Sequence, residues 1–251
     1  MKVHDFYRSL LKTCIAHTLP KCTVGRPRCD VDTIIDSLFY LIKTGCQWRC
    51  LPSSVCGRTH FSTIHKSVQK YINAGVFHIA NKRMLELYKL KHKPKRYCID
   101  STMIKNIYGR NVIGRNPVDR GRKGSKLSVI VDESGIVHGM RIDPANVPDV
   151  SLLEKTLQTF QPLTGVPLYG DKGYHSKKNS HICHKYKLFD RISRRRSKVG
   201  RRENAKRTIV ENCFAWIDKS RRLILRYESH ASTYMAYTMF VLSNRMSALF
   251  F

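Results

Sequence analysis

The sequence predicts an α/β protein in two parts: an all-helical domain over residues 1–92, then a mixed five-stranded sheet flanked by helices over residues 93–251. Three observations point there. Apolar residues recur at helical spacing up to about residue 90. The polar run Lys91-His92-Lys93-Pro94-Lys95-Arg96 then acts as a hinge and the pattern changes. Beyond it, short β-prone runs alternate with amphipathic helical stretches, as in a sheet covered by helices. The 251 residues are 42% hydrophobic, which suffices for a real core and excludes general disorder.

In the helical part, Val31 to Lys43 puts Ile34, Ile35, Leu38, Leu41 and Ile42 on one face, with Asp30 as its cap and Gly45 as its stop. A loop is expected through Pro52, Ser53, Ser54 and Gly57. Phe61 to Asn73 turns Ile64, Val68, Tyr71 and Ile72 inward and Lys66 and Lys70 outward; Val76 to Leu90 is a third helix. Short helices on a basic chain suit a helix-turn-helix-like module, which lays one helix in the DNA major groove. A plain helical cap on the next domain would show the same pattern. Arg26 and Arg28, in Gly25-Arg26-Pro27-Arg28, suit either a minor-groove arm or an ordinary solvated loop.

The second part opens with Arg96 to Asp100, a β-prone run ending on a carboxylate. Lys126 to Val131 and Ile136 to Ile142 follow, joined by the turn Asp132-Glu133-Ser134-Gly135. Val150 to Phe160 is helical, with Asp149 or Ser151 as cap; Pro167 to Asp171 is a strand that again ends on Asp. A helix over Ser176 to Tyr186 precedes a strand over Leu188 to Ile192. After the basic loop Arg194 to Arg202, helices are expected over Thr208 to Leu225 and His230 to Phe251. The order β-β-β-α-β-α-β-α-α is a ribonuclease-H-like arrangement: three antiparallel strands, then strands reached through helices.

Charge narrows the function. Forty-six Lys and Arg against eighteen Asp and Glu leave a formal net charge of +28, which disfavours neutral small-molecule metabolism and points to a polyanion. No run of eighteen uninterrupted apolar residues and no apolar leader occurs, so no membrane partner is expected. The expected location is the cytoplasm, on the nucleoid if the source is bacterial. The nine cysteines include no CxxC pair; Cys46-x3-Cys50-x5-Cys56-x3-His60 matches no common zinc finger, so reduced thiols are expected.

Where acids are scarce, their placement carries information. Asp100 and Asp171 each close an apolar strand, where a carboxylate is costly without a cation partner. Glu211 stands on a late helix with Arg207 one turn before it. In a ribonuclease-H topology the first and fourth strands are neighbours and the late helix crosses their ends, so the three are expected to converge. Such carboxylates at a phosphate-binding surface can hold two Mg²⁺ ions, with Mn²⁺ as a substitute, about 3.5–4 Å apart. Asp132 and Glu133 read as turn residues, Asp30 and Asp149 as caps, and Glu203 and Glu228 as partners of arginines.

Several longer motifs carry a family resemblance across nearly the whole chain. They are Gly25-Arg26-Pro27-Arg28, Thr44 to Arg49 with Leu51-Pro52, Ile99-Asp100-Ser101-Thr102, Gly121-Arg122-Lys123, Pro144 to Val147, Gly170 to Tyr174, Arg207 to Trp216, and Arg221-Arg222-Leu223 to Glu228. In these the sequence resembles bacterial insertion-sequence transposases of the DDE type, in the insertion-sequence-five family. The resemblance implies Asp100, Asp171 and Glu211 as metal-binding catalytic residues and Arg207 as a contact to donor-end phosphate. The sequence departs from the family pattern at Asn204, where a Tyr is usual, and at Asp218, where a Lys or Arg is frequent; Lys219 comes one position later.

The activity so implied is cleavage at the ends of an insertion sequence and joining of the 3′-hydroxyl ends to target DNA. Its partners would be double-stranded DNA, as terminal inverted repeats and target, and a second copy of the chain at synapsis. Backbone contacts are expected from Lys66, Lys70, Arg122, Lys123, Arg194, Arg195, Arg196, Lys219, Arg221 and Arg222. Two other readings compete: a catalytically inactive transposase-derived DNA-binding protein, and a structure-selective nuclease on the same fold.

Overall fold

The computed structural model describes residues 3–20, 28–194 and 201–249, with backbone alone over 201–207. The chain forms two compact units: residues 1–88 together with 217–251, and residues 89–216.

The first unit is helical: α1 (Asp5–Thr18), α2 (Val31–Thr44), a short α3 (Ser53–Cys56), α4 (Phe61–Asn73) and α5 (Val76–Lys91). After α8, described with the second unit, come α9 (Arg221–Ile224) and α10 (Ala231–Ser247). α2 begins and ends where its residues demand. The Asp30 carboxylate accepts from the Thr33 backbone N–H at 2.8 Å and from its hydroxyl at 2.9 Å, and Gly45 takes the left-handed φ of 72° that closes the helix. α4 buries Ile64, Val68 and Tyr71 and leaves Lys66 and Lys70 exposed. Phe240 of α10 sits at the centre of this unit, its ring 5.6 Å from Tyr7, 6.3 Å from Phe39 and 5.9 Å from Phe77. Residues 217–251, which the sequence reading had kept with the sheet, therefore complete the helical core; α10 packs on α1 and α4.

The second unit is built on β1 (Tyr97–Asn106), β2 (Gly114–Arg115), β3 (Lys123–Asp132), β4 (Val137–Pro144), β5 (Pro167–Gly170) and β6 (Phe189–Ile192). β1 lies between β3, antiparallel, and β5, parallel; β4 pairs antiparallel with β3, and β6 pairs parallel with β5. The order β4-β3-β1-β5-β6 is the expected ribonuclease-H-like one, with β2 a short addition beside the start of β3. Helices α6 (Leu152–Leu157) and α7 (Lys177–Lys185) cover one face, where Leu152, Leu153, Leu157, Ile182 and Cys183 meet Tyr97, Ile99, Ile130, Leu168 and Ile192. α8 (Arg201–Asp218) buries Val210, Cys213 and Ile217.

Several boundaries differ from expectation. β1 extends to Asn106 because β3 supplies partners as far as Lys105 opposite Gly124. The helix expected over 150–160 is a 3-10 turn, Asp149–Ser151, followed by the six-residue α6. α8 starts earlier than expected, at Arg201, and ends at Asp218, where the Ser220 N–H turns back to the Ile217 carbonyl at 2.9 Å. The segment expected as a plain loop around residues 52–57 contains α3.

Candidate active site

The parallel pairing of β1 with β5 decides where two of the three predicted carboxylates go. Tyr97 stands opposite Leu168, Cys98 opposite Tyr169 and Ile99 opposite Gly170. One step further along the same register, Asp100, within β1, and Asp171, directly after β5, are neighbours. Side chains alternate along a strand, so Ile99 enters the apolar core and Asp100 turns to the other face. Gly170 lets the strands approach here: a Cβ on it would lie 2.9 Å from Ile99 Cγ2. Both aspartates are half-buried. The backbone N–H of Ser101 donates to Asp100 Oδ1 at 2.8 Å, and a 3-10 turn, Lys172–Tyr174, starts directly after Asp171.

Tyr174, 1% exposed, belongs to the apolar core with Tyr97 and Ile99. Burial pushes its phenol well above the ordinary pKa, and the negative charges of Asp149 and Asp100 push the same way. The tyrosine is therefore neutral beside the carboxylates. Asp149 is the residue the sequence reading missed. It was read as a helix cap, yet it makes no cap; its Oδ1 accepts from Ser101 Oγ and from Lys126 Nζ, each at 2.8 Å.

Glu211, the third predicted carboxylate, is exposed on α8. Among the described residues, no three His, Cys, Asp or Glu side chains are arranged to hold a metal ion, so the structure brings the two aspartates together without completing a triad.

The predicted DNA contacts fall into three groups. Exposed are Lys66 and Lys70 on α4, Lys219 and Arg221 after α8, Arg122 and Lys123 at the start of β3, and Arg194 after β6. Burial lowers the pKa of Lys43, and the like charge of Lys219 lowers it further. Arg222 is turned inward: its Nε donates to Glu228 Oε1 at 2.7 Å, one NH₂ group reaches the Cys46 carbonyl at 3.2 Å, and it lies 5.1 Å from the centre of the Tyr227 ring. It ties the helical unit together. Arg28 is exposed but donates to the Pro20 carbonyl at 2.5 Å. Arg26, Arg195, Arg196 and the side chain of Arg207 lie outside the described residues. No helix among the described residues is long and apolar enough to cross a membrane.

A helix-covered mixed sheet in this strand order, with Asp100 inside β1 beside Asp171 at the end of β5, defines a ribonuclease-H-like α/β protein. The family described as "Transposase DDE domain" matches residues 91–243, and that described as "Putative transposase of IS4/5 family" matches residues 10–80. The chain belongs to the DDE-domain transposases. It is 32% identical over 152 residues to the "Putative transposase for insertion sequence element IS402" of Burkholderia cepacia, a match covering 57% of this chain and 70% of that one. The structure is also similar to that of a piggyBac transposase synaptic complex with hairpin DNA, with a TM-score of 0.43 and 14% identity. That match covers 78% of this chain and 50% of the other, so the chain spans half the length of this structural relative.

Proposed function

We propose that the protein cuts DNA at the ends of an insertion sequence and joins the freed 3′-hydroxyl ends to target DNA, with Asp100, Asp171 and Glu211 as its catalytic carboxylates. The observation that supports this reading is the register of β1 on β5, Ile99 opposite Gly170, one step before Asp100 and Asp171. Their hard oxygen donors suit Mg²⁺ or Mn²⁺. Two such ions, held by these carboxylates with Glu211 as the third, would supply Lewis-acid polarisation of a phosphodiester. The chain's own part is to place negative oxygens where that charge is needed and to hold the DNA backbone against them. Lys66, Lys70, Arg122, Lys123, Arg194, Lys219 and Arg221 serve the second task, giving sequence-independent grip on double-stranded DNA. Joining two element ends calls for a synaptic homodimer.

The test uses a supercoiled plasmid carrying the protein's own flanking DNA, with Mg²⁺ or Mn²⁺, and the Asp171→Asn variant beside the wild type. Metal-dependent nicking at the element boundary, absent in the variant, is expected. Specific binding without cleavage, equal in both proteins, would instead identify a catalytically inactive DNA-binding derivative.

A further inference from the structure

We propose that Asp149, together with Lys126 and Ser101, is a positioning residue: it fixes Asp100 and the turn after Asp171 in one frame and so sets how tightly the site takes a divalent cation. The inference rests on the metal-site reading above.

Lys126 is the starting point. It is only 5% exposed, and an ammonium so placed is costly unless it is paired and hydrogen-bonded. It donates to the Val147 carbonyl and to Asp149 Oδ1, both at 2.8 Å. The same Asp149 oxygen accepts from Ser101 Oγ at 2.8 Å, and the Ser101 backbone N–H holds Asp100 Oδ1 at 2.8 Å. An unbroken path of short hydrogen bonds thus runs from β3 through Asp149 to the first aspartate. Lys126 and Ser101 lie on paired strands, opposite Met103 and Ser128 respectively, so the register of the sheet aims both toward Asp149.

A second arm reaches the other aspartate. Asp149 opens the turn Asp149–Ser151, and Asn179, 1% exposed, staples that turn to the next: its Nδ2 donates to the Val150 carbonyl at 3.0 Å and to the Tyr174 carbonyl at 2.6 Å. The Tyr174 N–H in turn donates to the Asp171 carbonyl at 2.9 Å. Gly173 leaves room for the contact, since a Cβ there would lie 3.3 Å from Asp149 Oδ2. Asp149 is therefore tied both to the part of β1 that carries Asp100 and to the turn after Asp171, and Lys126 pairs with its charge. Residues that orient metal-binding groups in this way change metal affinity by about 10- to 100-fold when removed.

The experiment titrates Mn²⁺ into the intact protein by electron paramagnetic resonance, for the wild type, Asp149→Asn, Ser101→Ala, Ser101→Thr and Asp171→Asn, with thermal unfolding of each. Asp149→Asn and Ser101→Ala are expected to bind Mn²⁺ about tenfold or more weakly, and Ser101→Thr, which keeps the hydroxyl, to bind as the wild type does. Ser101→Ala removes a single oxygen and keeps the fold testable if Asp149→Asn unfolds. Affinity within about twofold of wild type in a folded Ser101→Ala or Asp149→Asn would overturn the positioning role. Mn²⁺ binding that Asp171→Asn leaves unaltered would overturn the metal-site reading, and this inference with it.

Discussion

Ile99 and Gly170 face each other across two parallel strands with no room for one more carbon: a Cβ on Gly170 would stand 2.9 Å from Ile99 Cγ2. The residues that follow them are the two candidate catalytic aspartates. Gly170→Ala should spread β1 from β5, lowering stability by about 1–3 kcal/mol, a usual cost of overpacking, and reducing cleavage by more than the lost stability explains. Urea unfolding beside a plasmid-nicking assay checks both parts. Wild-type nicking at wild-type stability would show that the edge tolerates the extra methyl group.

Glu211 and Glu228 offer a contrast between a carboxylate kept for chemistry and one kept for the fold. Glu211 is exposed, so Glu211→Gln should leave stability within about 0.5 kcal/mol of wild type while nicking is lost. Glu228 is 6% exposed and paired with Arg222, so Glu228→Ala strands a mostly buried guanidinium and should cost about 3–5 kcal/mol. Denaturant melts of the two variants, run together, should fall on opposite sides of this divide.

Lys66 and Lys70 point away from the apolar face of α4. If each neutralises one phosphate, the double variant Lys66→Ala, Lys70→Ala should flatten the log–log salt dependence of DNA binding by about 2, at roughly 0.9 per phosphate. An unchanged slope would remove α4 from the DNA-contacting surface.

Asp30 links stability to acid. Its carboxyl is held below the ordinary carboxylate pKa, first by the Thr33 backbone N–H. A depressed folded-state pKa means that the stabilisation is fully present above the unfolded value and disappears as pH falls through the folded one. Asp30→Ala should therefore cost about 1 kcal/mol near neutrality, with the difference from wild type closing as pH falls through the lowered folded-state pKa. Unfolding curves at several pH values read this directly; a gap independent of pH would mean that the cap acts without its charge.

Local signals carried much of this architecture. α2 and α4 match their predicted spans to within a residue, since apolar spacing, the Asp30 cap and the Gly45 stop all act within a few positions. Asp171 does follow a strand end, as expected, whereas Asp100, expected to close its strand, lies within β1, which runs on to Asn106. β1 was read too short because its outer half is a strand only by virtue of partners some twenty residues away, as in Lys105 opposite Gly124. α1 has Tyr7, Leu11, Cys14 and Ile15 at helical spacing, a signal that would have delimited it. Asp149 was beyond local reading altogether, because Lys126 and Ser101 lie 23 and 48 positions before it.

The rings around Phe240 bear on synthesis. Tyr7, Phe39 and Phe77 leave the ribosome well before Phe240, the side chain they surround. The whole sheet emerges in between. A nascent chain must therefore carry its first helices incomplete past the assembly of the sheet, exposed to proteases and chaperones until α10 arrives. A frameshift after Asp218 would spare β1 to β6 with Asp100 and Asp171, yet leave those helices without their centre.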